Sequence, residues 1–231
     1  MGKINLSKRL QEVTKFTVNN KPIADIGSDH AYLPIYLIQH DMIATAIAGE
    51  VVEGPYEHAL ETIEQYNMEE VVDVRFGNGL NVLHPNEDVG TIFICGMGGL
   101  LISEIIADGK DKGLLPKQAR LVLQPNNNEK NLREYLAVNS YQIIEESIVE
   151  DNRKIYEVIV AELSDAQPDY SDIDLVFGPK LLETKSPTFL KKWQLELDKN
   201  KTIVNNLINT RNAEKIALLK EQINQIEKVI S

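Results

Sequence analysis

Apolar positions change their spacing in a regular way along the chain. Leu6, Arg9, Leu10, Val13 and Phe16 fall at helical spacing with polar residues between them, which predicts an amphipathic helix at the start. Short apolar runs then alternate with helix-like stretches. The runs cover residues 22–26, 43–48, 71–76, 91–95 and 120–123, and helices are expected from about Leu33, Pro55, Leu100 and Glu129. Such alternation predicts βαβ units and a parallel sheet covered on both faces. Two further β-rich runs, residues 141–149 and 155–163, flank the polar segment EDNRK, so the sheet is expected to end in an antiparallel hairpin.

The pattern changes after residue 163. The stretch SDAQPDYSDID combines proline, serine and acids with little apolar material and reads as a linker. The expected division is therefore one domain over residues 1–163, then a linker and C-terminal domain over residues 164–231. Beyond Pro187, Leu190, Trp193, Leu197, Val204 and Leu207 follow alternating three- and four-residue steps if Asn200 takes one seam position. After Thr210, Arg211 and Asn212, the series Ile216, Leu219, Ile223, Ile226 and Ile230 repeats the pattern. Two such helices predict an antiparallel hairpin of coiled-coil type.

Composition narrows the class. Hydrophobic residues make up 43% and charged residues 26%, which suits a chain that buries a core. No apolar run approaches the roughly 20 residues of a membrane span, and the start MGKINLSKRL lacks the apolar stretch of a secretory signal. A cytoplasmic location and no membrane partner are expected. The single cysteine, Cys95, excludes an intramolecular disulfide and a cysteine-based zinc cluster. His40, His58 and His84 fall in separate elements without ligand spacing, so no metal is expected. A net charge of −11 argues against a nucleic-acid partner, since phosphates need concentrated Lys and Arg. The distribution softens that objection. From Lys180 onward there are 10 Lys/Arg and 6 Asp/Glu, net +4, and the first helix carries Lys3, Lys8, Arg9 and Lys15. A basic appendage on an acidic body and an ordinary solvated helical surface both fit.

The candidate chemistry lies where the predicted strands end. In IADIGSDHAYLP, residues 23–34, a strand ends at Asp25 and Gly27 permits a tight turn before a helix, the way open α/β sheets seat small molecules. The segment is not GxGxxG, which counts against a pyrophosphate on the helix N-terminus. S-adenosylmethionine has no phosphate and tolerates such a loop; Asp25 or Asp29 would meet its positive charge. Glu50, in AGEVVEGP, stands where an acid accepts both ribose hydroxyls of an adenosyl ligand, or is a polar strand end. In RFGNGL, Gly77 and Gly79 permit a close loop and Asn78 can bond an adenine edge; an ordinary tight turn also fits. FICGMGGLL brings three glycines within four positions around Met97. LQPNNNEKNL gathers Gln124, Asn126, Asn127 and Asn128, the last a helix cap or a ligand contact. Five such loops converge on one edge of the predicted sheet.

DIGSDHAYLP, the GxGL loop, GMGG and LQPN, in that order and followed by a helical appendage, resemble the TrmK family of bacterial tRNA adenine-N1 methyltransferases. The resemblance implies an α/β, Rossmann-like class I methyltransferase core with a C-terminal coiled-coil hairpin. It implies transfer of a methyl group from S-adenosylmethionine to N1 of adenine 22 in tRNA. By motif, the cofactor contacts would be Asp25, Gly27, Ser28, Asp29 and His30 in the first loop, Glu50 and Val51 in the second, and Gly77, Asn78 and Gly79 in the third. Cys95, Gly96, Met97 and Gly98 would border the methyl donor. The family's third loop often carries Asp where this chain has Asn78; an amide carbonyl still accepts from the adenine amino group.

Adenine N1 has an in-plane lone pair, so transfer needs orientation more than a base. An acceptor near the exocyclic amino group would stabilise the charge that develops there. Asp29 is the first candidate for that catalytic role and Asn126 the second, with Tyr32 or His30 as stacking partners for an extruded base. Cys95 reads as a buried strand-end thiol. Two other functions share parts of this pattern. A small-molecule methyltransferase would keep every cofactor motif, and a non-catalytic RNA-binding protein with a vestigial nucleotide fold would lack cofactor affinity. An NAD-dependent oxidoreductase is disfavoured by the missing glycines and the terminal hairpin.

Overall fold

The computed structural model describes residues 2–207 and 212–231. Seven strands form one sheet: β1 (Ile23–Ile26), β2 (Ala46–Glu50), β3 (Val72–Phe76), β4 (Thr91–Met97), β5 (Arg120–Pro125), β6 (Tyr141–Asp151) and β7 (Lys154–Leu163). Their order is β3-β2-β1-β4-β5-β7-β6, with the first five parallel and β7 antiparallel to both neighbours. The chain reverses its direction of travel across the sheet between β1 and β4, and at such a switch point the loops diverge and leave a crevice at the strand C-termini. Ile23–Ile26 is buried throughout, as expected of a central parallel strand covered on both faces. The second run starts late. Ile43 is buried in the preceding loop and the strand begins at Ala46.

One face is covered by α1 (Lys8–Thr14), α2 (Tyr32–Gln39) and α3 (Glu53–Tyr66), whose Val13, Leu37 and Ile63 join Phe93 and Val160 in one core. The other is covered by α4 (Gly99–Asp111) and α5 (Glu129–Val138), where Ile102, Ile106 and Leu132 pack on Ile94 and Leu123. Helix α1 is shorter than its pattern. Ser7 caps it by accepting from Leu10 N, so Leu6 is buried outside the helix. Between β3 and β4 the chain makes only a 3-10 turn, Gly79–Val82, which lays Leu80 and Val82 into the core.

The acidic end of the expected linker coils into a helix, because Ser171 and Asp174 form a reciprocal capping box that starts α6 (Asp172–Phe177). Helix α7 (Pro179–Thr184) follows, then α8 (Pro187–Leu207) and α9 (Ala213–Ile230). Helices α8 and α9 pack antiparallel: Lys185, just before α8, donates to the Val229 carbonyl near the end of α9 at 2.7 Å. Trp193, Leu197, Asn200, Val204, Leu219 and Ile226 are buried along the expected seam. Leu190 is not, at 38% exposed. The first turn of α8 instead buries Phe189 against Phe177 and Trp193. The expected break at Thr210 and Arg211 lies outside the described residues.

A buried ion cluster joins this C-terminal layer to the sheet. Arg133 of α5 is fully buried and donates to Glu146 and Glu157, while Lys192 of α8 bonds Glu157 at 2.7 Å and Glu129 at 3.0 Å. Glu146 also accepts from Lys180 N at 2.9 Å. Opposed charges and full hydrogen bonding make such burial tolerable.

Candidate cofactor and acceptor site

A cleft of about 560 Å3 opens where β1, β2, β3 and β4 end. Asp25, Gly27, Ser28, Asp29, His30, Glu50, Val51, Gly77, Asn78, Gly79, Cys95, Gly96 and Met97 all line it. Two expected site residues do not. Gly98 is the N-cap of α4, and a Cβ there would meet Asn127 Oδ1 at 3.1 Å. Asn126 is exposed outside the cleft lining and bonds the Gly96 loop described below. A second cavity, about 440 Å3, lies between α5, α6, α8 and α9; of the strand-end candidates only Asn128 lines it.

The first loop turns because Gly27 adopts φ +76°, and a Cβ at Gly27 would collide with Met97 Cε. The amides of Gly27 and Ser28 both bond the Gly49 carbonyl, at 2.8 and 3.0 Å, which locks the loop to the end of β2. Asp25 lies under this turn and accepts from Ser28 Oγ at 2.6 Å. Burial pushes its carboxyl up to about 6, with Glu50 adding to the rise and the Ser28 bond and Arg9 opposing it. His30 and Ala31 are both left-handed, φ 68° and 53°. The His30 ring stacks on Tyr32 at 5.2 Å and on His58 of α3 at 5.3 Å, and Asp29 stands 3.3 Å from His30 at the exposed rim. The sequence left His58 without a role; the fold sets it beside the first loop.

Glu50 is buried and lines the cleft, and its Oε1 accepts from the amides of Val51 and Val52 at 2.8 and 2.9 Å. Gly77 N bonds the Glu50 carbonyl at 2.8 Å and so ties the third loop to the second. The Asn78 carbonyl is engaged by Asn81, while the Asn78 side chain is exposed at the cleft.

The fourth loop rests on a β-bulge between Cys95 and Met97, with Gly96 at φ +79°. One fully buried side chain organises it. Gln124 Oε1 accepts from Gly96 N at 3.1 Å and from the Arg9 guanidinium, and Gln124 Nε2 donates to Pro125 O and Asn126 Oδ1 at 2.8 and 3.1 Å. Asn126 Nδ2 then donates to the Gly96 carbonyl at 2.7 Å. Burial holds the Cys95 thiol well above the usual thiol range, so it is neutral. Asn128 sits at the N-cap of α5 in a left-handed conformation, and its amide donates to Asn127 Oδ1 rather than accepting from the helix.

Helix α1 supplies two wall residues that the sequence did not assign, Arg9 and Leu10. Arg9 lies 5.5 Å over the Tyr156 ring, and its backbone N–H donates to Asp151 at 3.2 Å, so α1 is moored to the β6–β7 hairpin. The basic residues of the first helix were the only signal in the sequence.

The cleft fits an adenosyl ligand with a charged amino-acid tail. It offers a buried carboxylate in its wall, an amide in the next loop, a second buried carboxyl suited to positive charge, and a glycine loop with exposed backbone. Among the described residues no group of three His, Cys, Asp or Glu is arranged to hold a metal ion. No helix there is long and apolar enough to cross a membrane.

Comparison with known proteins agrees with this geometry. The family model for tRNA (adenine(22)-N(1))-methyltransferase, TrmK, matches residues 23–228. The tRNA (adenine(22)-N(1))-methyltransferase of Bacillus subtilis (strain 168) is 39% identical over 238 residues, covering 100% of this chain and 99% of that one. The crystal structure of the B. subtilis M1A22 tRNA methyltransferase TrmK superposes with a TM-score of 0.89 at 37% identity, over 98% of this chain and 99% of that one. A Streptococcus pneumoniae protein solved in complex with S-adenosyl-L-methionine gives a TM-score of 0.90 at 40% identity, over 98% and 100%. With nearly its whole length matched, sheet, cleft and C-terminal helices included, this chain belongs to the TrmK family.

Proposed function

We propose that this chain transfers the methyl group of S-adenosylmethionine to N1 of adenine 22 in tRNA, as a cytoplasmic enzyme. The observation that carries the reading is the convergence of Asp25, Glu50, Asn78 and the Gly96 loop on one cleft in a chain of this family. When bound, S-adenosylmethionine supplies an electrophilic methyl group on a positively charged sulfur.

The chain's own residues bind, orient and stabilise. Glu50 Oε2 holds the ribose hydroxyls while the Val51 and Val52 amides fix its other oxygen. The exposed Asn78 amide meets the adenine edge of the cofactor. Asp25, held at about 6 by burial, ionises fully when a cation enters, so cofactor affinity rises with pH through that range. Gly27, Ser28, His30, Gly77, Gly79, Cys95, Gly96 and Met97 shape the walls. Gly98, at the N-cap of α4, supports that wall from behind.

Adenine N1 needs no deprotonation, so positioning carries much of the barrier reduction. Asp29, exposed at the rim, accepts from the exocyclic amino group as that group acidifies. Tyr32 and His30 offer rings against which an extruded base stacks. Asn126 is a positioning residue, because its amide holds the Gly96 carbonyl. Residues 1–163 form the catalytic part in this reading, and residues 164–231 the appendage.

The test is transfer of labelled methyl groups to unmodified tRNA transcripts carrying adenine or guanine at position 22. Incorporation with adenine and none with guanine is expected. Equal incorporation into both would overturn the target. No incorporation despite cofactor binding would leave a methyltransferase of a different substrate.

A further inference from the structure

We infer that α1 and the tip of the β6–β7 hairpin form the surface that grips the RNA phosphates flanking the methylated adenosine, an inference that rests on the tRNA methyltransferase reading above. A chain of net charge −11 cannot hold RNA by general basicity. It needs a local patch whose positive charge is not already cancelled. Many of its cations, Arg75, Arg133 and Lys192 among them, are engaged by carboxylates of the chain itself. Lys8, Arg153 and Lys154 are exposed and make no ion pair among the described residues.

Two of the acids beside this patch are paired with lysines and a third is hydrogen-bonded to the α1 backbone. Asp151 accepts from Arg9 N, Glu150 pairs with Lys191 at 2.6 Å, and Glu12 takes Lys15 and the Ser147 hydroxyl, both at 2.7 Å. The exposed lysines of α9 are different. Lys215, Lys220 and Lys228 each follow or precede a glutamate, so that surface is nearly neutral.

Topology sets the patch on the correct edge. Strand β7 runs antiparallel to β5, with Leu123 opposite Ile159, so the tip rises on the same edge of the sheet as the cleft. Lys154 stands three residues beyond the level of Pro125, a projection of about 10 Å past the end of β5. Arg9 then joins the patch to the cleft wall.

The turn itself supplies an independent observation. Asp151 pairs directly with Lys154, and the two residues between them, Asn152 and Arg153, have φ of 49° and 65°. A two-residue turn with both φ positive favours Asn-Gly. The chain keeps an arginine where glycine would relieve strain, as a position retained for its side chain would.

The test is the steady-state kinetics of Lys8→Gln, Arg153→Gly and Lys154→Gln combined, with Lys117→Gln as control on the opposite edge of the sheet. Arg153→Gly removes turn strain, so loss of folding is not the expected result, and thermal melting checks it. The triple variant is expected to raise KM for tRNA roughly tenfold, with the slope of log KM on log salt smaller by about 2. Its affinity for S-adenosylhomocysteine should match the parent. An active parent with KM and salt slope unchanged in the triple variant overturns the inference. So does a loss confined to Lys215→Gln, Lys220→Gln and Lys228→Gln combined. A parent that neither binds nor methylates tRNA would instead sink the activity reading, and the inference with it.

Discussion

Replacing Asp25 by asparagine should make the empty protein more stable while it loses its cofactor. Asp25 is 7% exposed and its carboxyl is pushed from 3.8 up to about 6, chiefly by burial. The folded state therefore holds the proton more tightly than the unfolded state. Stability falls as pH rises from 3.8 through about 6, and above that window the loss is about 3 kcal/mol. At pH 5 roughly half of it, about 1.5 kcal/mol, has developed. An amide at this position has no charge to desolvate and keeps an acceptor for Ser28 Oγ. Asp25→Asn should thus gain about 3 kcal/mol at pH 8 and about 1.5 kcal/mol at pH 5 over the parent, so its melting temperature at pH 8 rises by about 6–12 °C. Denaturant unfolding at both pH values, without ligand, measures the gain. Calorimetry with S-adenosylmethionine should show binding weakened at least tenfold, since the buried partner for positive charge is gone. A gain that is absent, or the same at pH 5 and pH 8, would refute the claim that the carboxyl is held at a stability cost in order to bind.

Gln124→Leu removes the acceptor for Gly96 N and Arg9 together, so turnover at saturating substrates should fall roughly 10- to 100-fold with the affinity for S-adenosylhomocysteine within a few-fold of the parent; a pure cofactor-binding defect would contradict the positioning role. Arg133→Met leaves Glu146 buried without its cation and Glu157 with Lys192 alone, and should cost about 3–5 kcal/mol at pH 8. Protonation of Glu146, already favoured by burial, should shrink that loss on acidification, and an equal loss at pH 5 would count against it. Glu50→Gln should weaken S-adenosylmethionine binding by roughly 10- to 100-fold in calorimetry, through loss of a charged acceptor for the ribose; unchanged affinity would remove Glu50 from the site.

Strands, loops and helix order were legible in the sequence because parallel strands buried on both faces are mostly apolar runs, and residues 22–26 and 120–123 read that way without reference to neighbours. The glycine loops were legible for a similar reason. Gly27 and Gly96 stand where the backbone turns left-handed beside a ligand, a local demand that residue type alone reveals. Strand periodicity also fixed the closing hairpin, and three- and four-residue spacing fixed most of the seam between α8 and α9.

Tertiary structure alone decided what depends on residues far apart in the chain. Gln124 read as one amide among several, and its control of the Gly96 loop exists only because β5 lies beside β4. Arg9 read as one basic residue on a surface helix until α1 was moored to Tyr156 and Asp151, 147 and 142 positions away. Arg133 and Glu157 carried no signal in the sequence, and packing of α8 over the sheet buries them as mutual partners. The acids of the expected linker became a helix cap. Local pattern determines which elements form, because hydrogen bonding and burial of one face are properties of short segments. Which charges meet, and which wall closes the cleft, depends on contacts that the chain makes only when it is folded.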